Sequence, residues 1–106
     1  MTFYHGTTEE AYKKIVNEGI LYGVRGIFQG HEIDRCTYLA VDIEEAKQYG
    51  DVLLQVEYDP FVNNKYNNYK EGCWQFRVYE PIPLQNIIRL WKHYIKLFKI
   101  GGINTK

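Results

Sequence analysis

Residues 1–20 read MTFYHGTTEEAYKKIVNEGI, and they hold a strand, a helix and the junction between them. MTFYH is short and rich in aromatic residues, as an opening strand is. TTEEAYKKIVNEGI reads as a helix. Thr7 with Glu10 makes a capping box, Ala11, Ile15 and Val16 form an apolar stripe, and Gly19 closes the C-terminus. His5 therefore ends the strand, just before Gly6 and the helix start. A glycine there lets a ligand approach the backbone, whose N–H groups can meet carbonyl or phosphate oxygens.

Further elements follow outward from this unit. Residues 19–35, GILYGVRGIFQGHEIDR, are too irregular for a regular element and too apolar for disorder, so they read as a structured loop over a site. CTYLAV, residues 36–41, is a strand. DIEEAKQYG, residues 42–50, is one short helix capped by Asp42, boxed by Glu45 and ended by Gly50. DVLLQVEYDP, residues 51–60, is a strand closed by Asp-Pro, and FVNNKYNNYKEG, residues 61–72, is an Asn-rich loop. CWQFRVYEP, residues 73–81, alternates as a strand does, and QNIIRLW, residues 85–91, is a last strand. In residues 92–100, Tyr94, Ile95 and Phe98 recur at helical spacing with Lys92, Lys96 and Lys99 elsewhere on the wheel; residues 101–106 fray. Strands predominate and do not alternate regularly with helices, so the expected class is α+β rather than a doubly wound sheet.

At 106 residues the chain is one domain with a modest core, and neither repeats nor a linker divide it. Ten tyrosines raise the aromatic share to 16%, which suits binding surfaces as well as cores. There is no apolar run of about eighteen residues for a membrane span, and no secretory signal. The expected location is the cytoplasm, with Cys36 and Cys73 as free buried thiols. No Cys-x-x-Cys or His-x-x-x-His spacing points to structural zinc. The formal charge is zero but unevenly spread: residues 1–80 hold thirteen acids against eight Lys and Arg, a balance of −5. Residues 81–106 hold five Lys and Arg and no acid, a balance of +5. That basic end, with Arg89, Lys92, Lys96 and Lys99, is either a contact for phosphates or an acidic partner, or a solvated face.

Tyr38 and Tyr49 stand on either side of a strand, a capped turn and a short helix. Such a unit folds back so that two rings face across a gap, forming a slot for a flat aromatic group. With a histidine donor and a glycine backbone, this describes a site for a planar amide. Taken singly, each of these residues is more commonly core or surface; order and spacing together narrow the reading.

The set YHGT (4–7), TYLAVDIEEAKQY (37–49) and WQFRVYEPIPLQNI (74–87) resembles the ADP-ribosyltransferase superfamily, in the branch that includes diphtheria toxin and the poly(ADP-ribose) polymerases. The resemblance covers about Phe3 to Trp91. It implies a split pair of small antiparallel sheets with short helices, a core over residues 1–91, and residues 92–106 as a basic tail of the same domain. It also implies NAD as substrate, bound in the cleft without a Gly-x-Gly-x-x-Gly fingerprint. By the resemblance, His5 contacts the adenosine ribose 2′-hydroxyl, Gly6 holds the nicotinamide amide, Thr7 adds a hydroxyl, and Tyr38 and Tyr49 sandwich the ring. The 19–35 loop covers the cofactor, with Arg25 or Arg35 near the pyrophosphate or as plain surface charge.

The catalytic positions implied are His5, Tyr38 and Gln75, and the last is a departure, because the family carries a glutamate there. Glutamine keeps a hydrogen bond and loses a charge, a difference of roughly 3–4 kcal/mol in a transition state that builds positive charge. The expected function is mono-ADP-ribosyl transfer to a protein or nucleic-acid acceptor, slowed by Gln75, in a small bacterial or phage effector. The alternative is a lapsed enzyme that binds and inhibits a partner such as a host defence protein. Replacement of the missing acid by Glu71 or Glu80 is disfavoured by their displaced positions along the strand.

Overall fold

The computed structural model describes residues 1–23, 26–28, 31–33 and 35–91, with residues 26–28 and 31–33 described as backbone. In chain order the strands and helices are β1 (Thr2–Thr7), α1 (Glu9–Glu18), β2 (Ile20–Leu21), β3 (Gly26–Phe28), β4 (His31–Ile33) and β5 (Thr37–Ala40). They continue with α2 (Ile43–Ala46), a 3-10 turn (Lys47–Tyr49), β6 (Val52–Glu57), β7 (Gln75–Val78), β8 (Ile82–Pro83) and β9 (Ile87–Leu90). The class is α+β, as expected. Its main sheet is antiparallel, with five strands in the order β7-β5-β1-β6-β9, and β2-β8 and β3-β4 form two-stranded companions.

Several expectations need correction. The helix cap is Thr8, not Thr7: Thr8 is extended and its Oγ1 accepts from the Ala11 N–H at 3.1 Å. Thr7 is the last residue of β1, where the ladder to β6 holds it. Val16 is 46% exposed and Ile15 is buried, so the inward face of α1 is Tyr12 and Ile15 rather than a stripe through Val16. Gly19 does close the helix, at φ 77°, with its N–H donating to the Ile15 carbonyl.

Residues 42–50 form not one helix but a single α-turn followed by a 3-10 turn. Asp42 caps it by accepting from the Glu44 N–H at 3.0 Å, while Glu45 accepts from Gln48 instead of completing a box. The 19–35 stretch contains β2, β3 and β4, because its apolar residues find strand partners, in one case the unforeseen β8, sixty-odd residues away. Register with a distant strand is not readable from local pattern. The helical spacing over residues 92–100 and the fraying of 101–106 lie outside the described residues.

Alternation along the strands divides the core between two faces. Phe3, Leu39, Leu54, Val56, Phe76 and Val78 meet Ile15 of α1 on one face, with Phe3, Tyr69 and Phe76 in edge-to-face contact at 4.7–5.8 Å. The other face is sparser: Ala40, Leu53 and Leu90 pack with Ala46 of α2, and Tyr4 and Ile43 lie at the margin.

The joints of the sheet are unequal. β1 and β6 share six Cα partners, from Thr2↔Glu57 to Thr7↔Val52, whereas β1 and β5 share only Tyr4↔Ala40. Cys36 is buried as expected and Cys73 only half-buried, and among the described residues neither is in a disulfide. Among the described residues no helix is long and apolar enough to cross a membrane.

Candidate functional site

Where β1 and β5 part, a cavity of about 110 Å³ opens on the sparser face, lined by Tyr4, His5, Gly6, Tyr38, Ala40, Ala46, Tyr49 and Gln75. Five of the six positions singled out from the sequence meet there: His5, Gly6, Tyr38, Tyr49 and Gln75. Thr7 lies one residue beyond and lines a second cavity instead.

The sequence builds this space from small residues and close approach. A methyl at Gly6 would stand 1.9 Å from the Ala46 carbonyl oxygen and 3.3 Å from the Tyr49 Cβ. The glycine thus serves the helix before it serves any ligand, letting α2 and its 3-10 turn ride on β1 and carry Tyr49 over the seam. Gly50 repeats the device, since a Cβ there would meet the Thr7 carbonyl oxygen at 2.1 Å. Ala40 and Ala46 leave open a volume that larger side chains would fill. Tyr38 and Tyr49 line the same cavity from β5 and from the 3-10 turn, and both remain 41–52% exposed.

His5 replaces the ladder that β1 and β5 lack. Its Nδ1–H donates to the Tyr38 carbonyl at 2.8 Å, satisfying a backbone oxygen that would otherwise face an open joint. Burial holds the His5 pKa below its ordinary value, with the bond to Tyr38 opposing. The ring is therefore neutral at pH 7 and, with Nδ1 protonated, presents Nε2 as an acceptor.

Gln75 opens β7 opposite Ala40, and the Tyr49 hydroxyl donates to its Oε1 at 3.3 Å. The residues that line this cavity include no carboxylate. Glu80 accepts from the Tyr58 hydroxyl at 2.8 Å, and Tyr58 packs with the core of the opposite face. Burial, reinforced by Glu80, pushes the Tyr58 phenol above its ordinary range. Glu71 is exposed in the turn before β7 and does not line the cavity.

His5 is also a wall of the second cavity, about 250 Å³, which holds Thr7, Lys14, Glu18, Tyr22 and Arg35. Arg35 lies 4.1 Å over the Tyr22 ring and donates through Nε to the Gly23 carbonyl at 2.6 Å. Gly23 in turn donates to Thr37 Oγ1 at 2.8 Å, tying residues 22–23 to the start of β5. Arg25 lies outside the described residues.

Sequence reasoning missed Lys14 and Glu18. Their signal was present, because Ala11, Lys14, Ile15 and Glu18 fall at the i, i+3, i+4, i+7 positions of one helix face. Tyr4, Ala40 and Ala46 were missed as well, and nothing local marks them.

The basic end is less available than its composition implies. Arg89 makes a two-pronged pair with Glu9, at 3.0 and 2.5 Å, and lies between Tyr12 and Trp91 with its side chain 14% exposed. Lys92, Lys96 and Lys99 lie outside the described residues. Among the described residues no group of His, Cys, Asp and Glu is arranged to hold a metal ion. Compared with models of protein families, with curated proteins and with solved structures, the chain matches none.

Proposed function

We propose that the paired cavities hold NAD and that the protein is a slow mono-ADP-ribosyltransferase, acting on a protein or nucleic-acid acceptor. The observation that carries this reading is the convergence on one small cavity of His5, Gly6, Tyr38, Tyr49 and Gln75, from four separate elements. The order of these residues along the chain is what suggested the resemblance, and their meeting in space is independent of that order.

The lining chemistry supports this ligand. At about 110 Å³ the smaller cavity is below the roughly 150 Å³ that encloses a benzene, so a planar ring such as nicotinamide would enter it in part, with the half-exposed Tyr38 and Tyr49 at its mouth to meet the rest. The larger cavity, with Lys14 and Arg35 beside Tyr22, suits the phosphates and the remaining nucleoside. His5 lines both cavities, and an Nε2 that accepts supports a contact with a ribose hydroxyl. The narrow β1–β5 joint is compatible with the split sheet that the resemblance implies.

A second reading is favoured by one observation. Gln75 brings no charge to the place where a glutamate is expected, and no carboxylate lining the smaller cavity replaces it. A site of this kind can keep NAD bound without cleaving it, and the protein would then act by occupying a partner.

Labelled NAD, a bacterial lysate and the His5→Ala variant separate the two. Label transferred to a discrete band by the native protein and not by the variant establishes transfer. Saturable NAD binding by calorimetry with no transfer and no released nicotinamide assigns the binder. Absence of NAD binding sinks both.

A further inference from the structure

We propose that Tyr49 is a positioning residue that sets the polarity of Gln75, turning its amide NH₂ into the smaller cavity so that the site offers a neutral donor. The identity of the ligand rests on the NAD reading above; the role of Tyr49 does not.

A phenol hydroxyl has one proton, and that of Tyr49 goes to Gln75 Oε1. The amide is planar, so fixing its oxygen on the tyrosine fixes its nitrogen on the other side. Gln75 is half-buried at the start of β7, between the neighbouring Ala40 and the 3-10 turn that carries Tyr49. Ala40 offers no side-chain polar atom to compete for the amide.

At the smaller cavity Gln75 then offers its amide NH₂ as a donor from one side of the seam and His5 its Nε2 as an acceptor from the other, beside the phenols of Tyr4 and Tyr38. A carboxylate at position 75 would only accept. The group that a ligand turns toward Gln75 is therefore an oxygen acting as acceptor: a carbonyl, an ether, or a hydroxyl whose proton goes elsewhere. A ribose hydroxyl can take that role, so binding survives. Positive charge building on the sugar as the glycosidic bond lengthens meets the positive end of an amide dipole, which explains why such a site would hold its ligand better than it cleaves it.

The test begins with the unliganded protein, labelled with ¹³C and ¹⁵N, and compares native with Tyr49→Phe, which keeps the ring and removes only the hydroxyl. The Gln75 side-chain carbonyl carbon is expected to move upfield in the variant, since a donor to its oxygen has gone. A carbonyl that stays put while an amide proton moves means that Tyr49 accepts rather than donates, and the proposal fails; no movement at all also overturns it.

Nicotinamide and then NAD are titrated into the same samples. A downfield shift of the Gln75 NH₂ protons in the native protein places a ligand acceptor against them. Tyr49→Phe is expected to weaken NAD binding about fivefold, and to have little further effect once Gln75→Ala is present; additive losses would overturn the coupling. If neither ligand perturbs Gln75 while the carbonyl shift is seen, the NAD reading is lost and the role of Tyr49 stands.

Discussion

Strand β1 meets β6 through six Cα partners and meets β5 through one. Along β6 the backbone satisfies its own polar groups, and the residues on both faces are buried: Val52, Leu53, Leu54 and Val56 are at most 2% exposed. Along β5 the ladder gives out, and side chains take over. His5 bonds the Tyr38 carbonyl, Gly6 admits α2, and the 3-10 turn brings Tyr49 to the opening. One joint is closed and buried on both faces, and the other leaves a cavity open. A single strand serves both because its two edges face different neighbours.

The strongest test of that division is Leu54→Ala at the closed joint. Removing a fully buried leucine is expected to cost about 2–5 kcal/mol in denaturant unfolding, while NAD binding well below the transition stays as in the native protein. Binding lost in a folded variant would show that the two joints are not independent.

Gly6→Ala tests the open joint. Its methyl would collide with the Ala46 backbone, so α2 must move, at about 1–3 kcal/mol, and Tyr49 moves with it. Ligand binding should fall further than stability does, the reverse of Leu54→Ala. Equal binding in the two variants would break the comparison.

Away from both joints, Thr8→Ala should cost about 1 kcal/mol through the lost helix cap, read from thermal melting, and should leave binding alone. Thr7→Val, which keeps the shape and removes the hydroxyl, should not reproduce that loss of the cap, which checks which threonine caps the helix.

The smallest expected effect is a pH dependence confined to the open joint. The His5 pKa is lower folded than unfolded, so as pH falls the unfolded chain takes up its proton first, near pH 6.5. Stability is thus full above about pH 6.5 and declines as pH falls toward the folded value. Denaturation series between about pH 7.5 and pH 5 on native protein and His5→Gln should differ in slope, with the variant flatter. Matching slopes would mean that His5 does not report the joint.

Much of the site was legible in linear order. His5, Gly6, Tyr38 and Tyr49 were marked by residue type and spacing and Gln75 by the resemblance, and all five line one cavity. Lys14 was legible in principle from the helix face it shares with Ala11, Ile15 and Glu18. Ala40 and Ala46 were not, because a small residue marks a cavity only once its neighbours are in place. Arg89 misled for the opposite reason: a cation counted in a basic tail is held by Glu9, eighty residues earlier in the chain.

By itself the sequence determined the α+β class, the ends of α1 to within a residue, strand β1, and the strands from β5 onward apart from β8. Hydrophobic period and capping are local properties, felt by each segment before the chain has folded. Only the tertiary structure decided that β1 pairs fully with β6 and barely with β5, that the glycine-rich stretch finds a partner in β8, and that the Tyr49 hydroxyl meets Gln75. Each of these depends on register between segments distant in the chain. Register is chosen by the packing of whole faces, which no short stretch of sequence contains.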